Sequence, residues 1–354
     1  MTKHALIAGV SGIIGRHLAE HLLEVGGWEV SGISRHAAQV PKGVRVIKAD
    51  LQDAAALKTA LSDVPASHVY ITAWMRHDSE ADNCRVNGAM VDNLMQAIAG
   101  KKVAHVALAT GLKHYQGPFE AYAKTKPITP FREEQPRLPF PNFYYVQEDA
   151  IMAAGAKQGF SWSSHRSHTL IGYAVGNAMN MASTLAAYAA ICKETGRPFV
   201  FPGSPGQFEG VVDITDGRVI AKHMLWASTT PAAANKGLNI VNGEVFRWNW
   251  MWPKLTNYFG LPQAVYPGHA QPLAVQMADA APIWERIVAK YGLVDTPIDQ
   301  FASWWHSDLD LGRELEAFAA MTTSRNLGFL ACGDSYDSFV TAFNRLRQER
   351  YIPS

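Results

Sequence analysis

The distribution of apolar and polar positions changes near residue 175. Before that point, short apolar runs alternate with segments in which apolar residues recur at helical spacing, which is typical of a parallel sheet flanked by helices. The predicted strands are His4–Gly9, Glu29–Ser34, Val44–Ala49, His68–Thr72, His105–Ala109 and Ser161–Arg166. The predicted helices between them are Ile14–Val25, Asp53–Leu61, Val86–Ala99 and Tyr145–Gln158. Six strands in this order favour a doubly wound α/β fold.

After Gly172 the alternation ends. We predict a long helix over Ala178–Thr195, a strand leading into a helix over Val211–Ser228, and a strand over Leu238–Val241. From Val245 onward, aromatic residues stand in helical patterns. We therefore expect residues 1–175 to form one domain, to which 209–244 return. Residues 176–208 and 245–354 are expected to form a smaller, mostly helical cap over the carboxyl ends of the strands, where ligands bind in such sheets.

Composition excludes several classes of partner. The 32 Lys and Arg residues balance 31 Asp and Glu residues, giving a net charge of +1, so we expect neither a nucleic-acid nor a membrane-surface partner. No apolar stretch reaches the roughly 18 residues of a membrane span. Cys84, Cys192 and Cys332 are far apart and odd in number, which indicates reduced thiols and a cytoplasmic location. The histidines lack metal-ligand spacing, so we expect no metal.

Three glycines mark the junction between the first strand and the first helix. The string Gly-Val-Ser-Gly-Ile-Ile-Gly occupies positions 9 to 15. In such a turn, Gly9 allows a tight bend, Gly12 admits a pyrophosphate against backbone N–H groups, and Gly15 lets helix and strand approach closely. The context of strand, turn and helix predicts a dinucleotide site. Its predicted contact residues are Gly9, Ser11, Gly12, Ile13, Ile14 and Gly15.

The end of the second strand indicates which dinucleotide binds. An acidic residue there would hold the ribose 2′-hydroxyl, whereas a basic one accommodates a 2′-phosphate. The sequence is Ser34-Arg35-His36, without a carboxylate, and it predicts NADP(H). Asp50 and Leu51, after the third strand, are expected to flank the adenine. After the fourth strand, the middle of the cofactor is expected to contact Thr72, Ala73 and Trp74.

Short-chain reductases place a tyrosine and a lysine four residues apart on one helical face, where the lysine makes the phenol a better proton donor. The one literal match runs from Tyr122 to Lys126, but Pro127 and Pro130 follow it and disfavour a continuing helix. The helix that leads into the sixth strand instead has Tyr145 in its first turn. Four residues later stands Asp149, so the lysine is missing from its usual place.

The chain resembles the progesterone 5β-reductase/iridoid synthase family, a divergent branch of the extended short-chain dehydrogenases. The matching segments span nearly the whole chain in order. They are Gly9–Gly15, Ser34-Arg35, Asn83-Cys84 with Asn87-Gly88, Thr110–Phe119, Asn142–Asp149, His165-Arg166, Thr184–Lys193, Phe201–Ser204 and Leu327–Leu330. The Lys-His-Tyr string at 113–115 and the Phe-Tyr-Tyr-x-x-Glu-Asp string at 143–149 are specific to that family.

The resemblance implies that the catalytic lysine is Lys113, at the end of the fifth strand, and that the catalytic tyrosine is Tyr145, the second of the pair. It also implies cofactor contacts by Thr110 and Gly111. This chain departs from the family where Arg166-Ser167-His168 replaces Arg-Pro-Asn. Contacts of Ser167 and His168 with the nicotinamide are nevertheless expected.

The implied activity is NADPH-dependent 1,4-reduction of an α,β-unsaturated carbonyl compound, with Tyr145 stabilising the enolate and Lys113 assisting. A small apolar enone or enal is the expected substrate, and a homodimer is an expected assembly. Predicted walls of the substrate pocket are Phe119, Met179, Phe208 and Phe339. Two alternatives remain open. One is a carbonyl reductase or epimerase acting on C=O or C–OH, and the other is a non-catalytic NADP-binding regulator.

Overall fold

The computed structural model describes residues 2–35, 40–117, 127–177 and 179–354. The chain folds as two compact units, each built from several segments. The first unit comprises 1–168, Gly217–Ile240 and Ala319–Ala331. The second comprises Thr169–Asp216, Val241–Phe318 and Cys332–Ser354. Within the described ranges, no helix has both the length and the apolar character needed to cross a membrane.

The strands of the first half end within two residues of the predicted positions. In chain order, the strands are β1 Lys3–Ala8, β2 Trp28–Ser34, β3 Arg45–Lys48, β4 His68–Ile71, β5 His105–Gly111, β6 Ser161–Ser167, β7 Leu170–Ile171, β8 Thr215–Asp216 and β9 Lys236–Ile240. Seven of them form one sheet in the order β3-β2-β1-β4-β5-β6-β9, and every neighbouring pair is parallel. Strand order reverses beside β1, which is the switch point where doubly wound sheets bind ligands. The predicted fold class is confirmed.

The helices, in chain order, are α1 Ile13–Val25, α2 Ala54–Ala60, α3 Glu80–Ala97, α4 Lys113–Gln116, α5 Phe143–Gln158, α6 Met181–Thr195, α7 Pro205–Glu209, α8 Gly217–Thr229, α9 Trp248–Tyr258, α10 Leu273–Gln276, α11 Ala280–Tyr291, α12 Ile298–Phe301, α13 Trp304–Leu311, α14 Thr322–Asn326 and α15 Ser335–Gln348. Helix α3 begins six residues before the predicted Val86. Its N-cap is Ser79, whose hydroxyl accepts the backbone N–H of Asp82 at 3.1 Å. Because the first six residues of α3 are mostly polar, the apolar spacing did not reveal them.

The core of the first unit lies where buried strand residues meet the adjoining helices. Leu6 and Ala8 of β1, Val69 of β4 and Val106 of β5 are fully buried and share a cluster with side chains of α2, α3 and α5. This continuous apolar content is expected of parallel strands, which are covered on both faces. The packed sheet therefore gives the loops at its carboxyl edge a rigid support.

The second unit is mostly helical, and aromatic rings fill its core. Phe199 stacks on Trp252 with ring centroids 4.5 Å apart, and Phe201 and Trp248 extend the same cluster. Strands β7 and β8 form its two-stranded parallel sheet. The chain returns to the first unit at Gly217, whereas the sequence pattern placed that return at 209. A second returning segment, Ala319–Ala331, was not anticipated, because its backbone contact with the loop at Phe131 joins residues far apart in sequence.

Candidate active site

The glycine turn after β1 leaves its backbone open to a ligand. Gly9 has a φ of +87°, and a Cβ there would lie 2.8 Å from the backbone nitrogen of Ala73. The N–H of Gly12 donates to the carbonyl of Gly9 at 3.1 Å, and a Cβ on Gly15 would collide with that same carbonyl. Only glycine fits at both ends of this turn. The predicted residues therefore form a tight bend that leads directly into α1.

Other predicted cofactor residues follow β2, β3 and β4 at the same edge of the sheet. The hydroxyl of Ser34 lies 3.5 Å from that of Ser11, and the Arg35 side chain is exposed at the end of β2. After β3, the Asp50 carboxylate accepts the N–H of Gln52 at 2.9 Å, and Leu51 is buried.

After β4, the Thr72 hydroxyl donates to the carbonyl of Ala8 at 2.8 Å. This bond ties the end of β4 to the glycine turn. Two residues further, Trp74 stacks on Phe143 with ring centroids 5.4 Å apart. The predicted middle of the cofactor site is thereby joined to the start of α5.

The ends of β5 and β6 are joined by direct hydrogen bonds. The Ser167 hydroxyl donates to the carbonyl of Thr110 at 2.9 Å, and the N–H of Leu112 donates to the carbonyl of Ser167 at 3.1 Å. His168 follows and is buried. Because β5 and β6 run parallel, Gly111 and Ser167 pair at the same edge as the glycine turn. The structure thus places all of these predicted residues along one edge of the first unit.

Lys113 begins α4 two residues after the end of β5, and its side chain is almost completely buried. Its ammonium nitrogen lies 3.3 Å from Oε2 of Glu80 and 4.9 Å from the ring centroid of Phe143. A buried ammonium requires such compensation, because removal of its hydration shell is costly. Glu80, the first residue of α3, was not recognised from the sequence. Its only signal was a position directly after the cap residue Ser79.

Asn142 links Lys113 to the helix that carries the two tyrosines. Its side-chain oxygen Oδ1 accepts the backbone N–H of Tyr144 at 3.0 Å and so caps α5. Its amide nitrogen donates to the carbonyl of Lys113 at 2.9 Å. One buried side chain therefore fixes both the backbone at Lys113 and the rotation of the first turn of α5.

The hydroxyl of Tyr145 is fully engaged by backbone groups. It donates to the carbonyl of His114 at 2.7 Å and accepts the N–H of Leu138 at 3.0 Å. The Arg137 guanidinium lies 4.8 Å from the centre of its ring, and burial raises the pKa of the phenol. This side chain anchors the segment before α5. The catalytic role that the resemblance implies for Tyr145 remains a prediction, and the hydrogen bonds of its hydroxyl do not favour it.

Tyr144 presents the other hydroxyl of the pair to the carboxyl edge of the sheet. A methyl group on Gly111, the last residue of β5, would lie 3.3 Å from the Tyr144 hydroxyl oxygen and 3.2 Å from the carbonyl of Ser167. Among the residues that the structure describes, none is hydrogen-bonded to this hydroxyl. Burial, and after it the charge of Glu80, raise the pKa of Tyr144 far above its usual value. The phenol is therefore protonated at neutral pH and can donate a hydrogen bond to a ligand.

Carboxylates stand four residues after each tyrosine of the pair. Glu148 accepts the Ser164 hydroxyl at 2.7 Å and pairs with Arg137 at 2.9 Å, while Asp149 pairs with the same arginine at 2.7 Å. These contacts explain the conspicuous Glu-Asp pair in structural terms: it holds α5 to β6 and to the preceding loop. No lysine on α5 takes the place that the short-chain pattern requires.

Of the Lys-His-Tyr string, Lys113 lies at the candidate site, whereas the other two side chains stabilise the fold. His114 and Tyr115 point into the protein, where the Tyr115 hydroxyl donates to Asn239 at 2.7 Å and its ring stacks on Phe131. Burial lowers the pKa of His114 to about 3, so this imidazole is neutral and contributes by packing. Of these three side chains, Lys113 carries the positive charge at the carboxyl edge of the sheet.

The described substrate residues of the prediction lie in a different unit from Lys113 and Tyr144. Met179, Phe208 and Phe339 belong to the second unit, where Phe208 stacks on Tyr266 and Phe339 is fully buried in the apolar core. Core packing accounts for Phe339 without a ligand. Phe119, His36 and the rejected pair Tyr122 and Lys126 lie outside the described residues. The four substrate assignments remain predictions.

The sheet order, the glycine turn and the row of polar groups at the carboxyl edge define a Rossmann-fold oxidoreductase of the extended short-chain type. The chain belongs to the family described as PRISE-like Rossmann-fold domain, whose model matches residues 33–353. This membership confirms the predicted family and class of enzyme.

Among its relatives, an (S)-8-oxocitronellyl enol synthase of Camptotheca acuminata is 36% identical over 363 residues, covering 99% of this chain and 93% of the relative. A 3-oxo-Delta(4,5)-steroid 5-beta-reductase of Arabidopsis thaliana is 34% identical over 361 residues, with the same coverage of 99% and 93%.

Solved structures support the fold independently. UDP-glucose 4-epimerase of Thermotoga maritima superposes with a TM-score of 0.69 at 14% identity, covering 97% of this chain and 99% of the epimerase. UDP-glucuronic acid 4-epimerase of Bacillus cereus, solved with NAD, gives a TM-score of 0.66 at 13% identity and covers 98% and 99% of the two chains. At these identities the likeness concerns the fold alone.

Proposed function

We propose that the protein reduces the activated C=C bond of α,β-unsaturated ketones or aldehydes with NADPH. The observation that carries this proposal is the presence, at the carboxyl edge of β5, of a buried ammonium, Lys113, and of the Tyr144 hydroxyl, to which no described residue is hydrogen-bonded. A phenol donor beside a positive charge suits stabilisation of an oxyanion. Two relatives named for an enol synthase and for a steroid 5-beta-reductase support the same chemistry.

The site residues would act on the carbonyl end of the substrate. When bound, NADPH supplies the hydride that adds to the β-carbon. As electrons shift from the C=C bond to the carbonyl oxygen, the Tyr144 hydroxyl donates a hydrogen bond to that oxygen and holds the enolate. Lys113 adds positive potential at the same place, which lowers the energy of the developing negative charge. The enolate then takes a proton from solvent water at its α-carbon and gives the saturated carbonyl compound.

This assignment replaces Tyr145 by its neighbour as the proposed catalytic tyrosine. Donation by Tyr145 to a substrate would require it to leave the carbonyl of His114, and the N–H of Leu138 would lose its acceptor. Each loss inside the protein costs about 1–3 kcal/mol. With the described residues, Tyr144 has no such bond to break. The choice between adjacent residues therefore rests on which hydroxyl is available.

The glycine turn fits a dinucleotide because a side chain at Gly9 or Gly15 would fill the space against the backbone. NADP(H) is proposed rather than NAD(H) because Ser34 and the exposed Arg35 end β2 without a carboxylate. An arginine there can pair with a 2′-phosphate, which NADP(H) carries and NAD(H) lacks. The proposed substrates are small apolar enones and enals.

A carbonyl reductase or epimerase, which acts on C=O or C–OH, is the competing function. The carboxylates of Glu148 and Asp149 occupy the helix positions where such enzymes need a lysine, and both are committed to Arg137. Lys113 reaches the site from a different element. A purely regulatory NADP-binding role is also disfavoured, because such a role requires neither the ammonium of Lys113 nor the phenol of Tyr144.

A screen with NADPH tests the proposal directly. The protein is mixed with enones and enals of different size and with saturated ketones, and the products are analysed for loss of C=C or of C=O. We expect C=C reduction in the first group and no turnover of the second. Lys113→Met should lower kcat at least about a hundredfold, whereas the exposed Lys157→Met on α5 should behave as the parent. Consumption of the ketones with the C=C bond of the enones left intact would refute the proposal.

A further inference from the structure

Glu80 occupies a fixed position at the start of α3. Ser79 caps the helix through the N–H of Asp82, which makes Glu80 its first residue. The Glu80 side chain is only 12% exposed. Asp82, two residues later, is half exposed and pairs with Arg85 at 2.9 Å. Two carboxylates in one helical turn thus face opposite environments, and only that of Glu80 is directed into the protein.

The two oxygens of Glu80 contact three different parts of the fold. Oε2 lies 3.3 Å from the ammonium of Lys113 and accepts the side-chain N–H of Asn83 at 3.2 Å. Oε1 accepts the backbone N–H of Phe143 at 2.9 Å. Since Phe143 is the first residue of α5, a single carboxylate joins α3, α4 and the helix that carries Tyr144. Asn83 is itself held by the backbone of His77 at 2.7 Å.

We propose that Glu80 is the positioning residue of the Lys113–Tyr144 pair: its carboxylate holds the lysine ammonium and the first turn of the tyrosine helix in one arrangement. The inference rests on the proposed function, in which those two side chains stabilise the enolate. Glu80 acts through both of them and need not touch the substrate. A neutral acceptor at this position would keep the hydrogen bond to α5 and lose the hold on the ammonium.

Glu80 also sets the charge balance around the phenol. The titratable groups around its carboxylate are Lys113, Tyr144 and Cys84. Burial and then the negative charge of Glu80 raise the pKa of Tyr144, and the same two causes raise the pKa of Cys84. Loss of the carboxylate removes a charge that opposes ionisation of the phenol, so Tyr144 should ionise at lower pH.

Glu80→Gln is the informative variant, because it keeps the size and one acceptor oxygen but removes the charge. We expect kcat for enone reduction to fall about ten- to a hundredfold. The dissociation constant for NADPH should stay within about twofold, since Glu80 contacts neither the glycine turn nor the end of β2. The alkaline limb of the kcat profile should move to lower pH. Asp82→Asn on the same helix is the matched control and should match the parent in all three measurements.

A second readout does not depend on turnover. With tyrosine labelled at Cζ with carbon-13, the Tyr144 signal is assigned by its absence in Tyr144→Phe. We expect its chemical shift to differ between the parent and Glu80→Gln, and its ionisation to begin at lower pH in the variant. Should Glu80→Gln fail to fold, Glu80→Asp takes its place: the charge is kept, so the tyrosine signal should titrate as in the parent while kcat falls through the shorter reach.

The possible failures can be told apart. If the parent reduces no enone, the proposed function is wrong, and the carbon-13 signal still decides whether Glu80 controls the phenol. If enones are reduced but Glu80→Gln matches the parent in kcat, pH profile and tyrosine signal, the inference about Glu80 is wrong and the function stands. For Glu80→Asp, a tyrosine signal that titrates differently from the parent overturns the electrostatic part of the inference.

Discussion

Acid should destabilise the first unit through a chain of buried histidines that crosses its sheet. His105 contacts the Ser163 hydroxyl at 2.8 Å, and Ser163 in turn contacts His165 at 2.9 Å. The ring nitrogens of His165 and His223 lie 2.8 Å apart, and His223 continues to Ser324 at 2.9 Å. All five side chains are buried. The imidazoles therefore form these hydrogen bonds as neutral rings, and none of the five side chains is a carboxylate that could balance an added proton.

The size of the effect follows from the pKa values. Burial lowers the pKa of His105 and of His223 from 6.5 to about 3, and it lowers that of His165 in the same direction. A histidine with a depressed folded-state pKa gives its full stabilisation above pH 6.5, and this is lost as the pH falls toward 3. A pH of 5 lies about 1.5 units below the histidine pKa of the unfolded state, so protonation stabilises the unfolded state by about 2 kcal/mol per histidine. His105 and His223 together account for about 4 kcal/mol, a large part of a typical folding free energy.

Urea unfolding followed by circular dichroism at pH 7.5, 6.5 and 5.0 measures this loss. The free energy of unfolding should fall by about 4 kcal/mol or more between pH 7.5 and 5.0. His223→Gln should lower stability at pH 7.5 but reduce the pH-dependent loss by about 2 kcal/mol. His269→Gln, at an exposed position, is the control and should retain the full loss. A parent equally stable at both pH values, or a His223→Gln variant with unchanged pH dependence, would refute this reasoning.

Two further predictions concern the cofactor. Gly9→Ala should raise the NADPH dissociation constant at least about tenfold, because a positive φ and contact with Ala73 both oppose the new Cβ; fluorescence titration measures it, and an unchanged constant would show that the turn is not the binding site. Arg35→Ala should reduce the preference for NADPH over NADH about tenfold or more by removing a charged partner of the 2′-phosphate. Arg45→Ala on β3 serves as its control, and equal preferences in parent and Arg35→Ala would exclude this role.

The parts of the fold that follow from local pattern were predictable. The glycine turn, the strands up to β6 and four of the five described helices between them were identified, because buried parallel strands and amphipathic helices leave distinct apolar spacing; the exception is the four-residue α4. The start of α3 was missed, because its first turns are polar and only the cap at Ser79 marks them. Glu80 was missed for the same reason, although it contacts Lys113 directly.

The choice between two adjacent tyrosines was beyond the sequence. Successive residues on a helix point about 100° apart, so Tyr144 and Tyr145 face different surroundings. Their directions are set by the Asn142 cap and by the loop at Leu138, whose N–H donates a hydrogen bond to the Tyr145 hydroxyl. The returning segment Ala319–Ala331 was equally hidden, since its partner at Phe131 lies almost two hundred residues earlier. Such contacts depend on tertiary structure and leave no local pattern.

The most direct test of the account compares two single-atom deletions at neighbouring positions. Tyr144→Phe and Tyr145→Phe are assayed with NADPH and an enone that the parent reduces, alongside cofactor affinity and the free energy of unfolding. We predict that Tyr144→Phe loses about a hundredfold or more in kcat with unchanged NADPH affinity and stability. Tyr145→Phe should keep its activity and lose about 1–3 kcal/mol of stability. Loss of turnover in Tyr145→Phe, with Tyr144→Phe as active as the parent, would contradict the account.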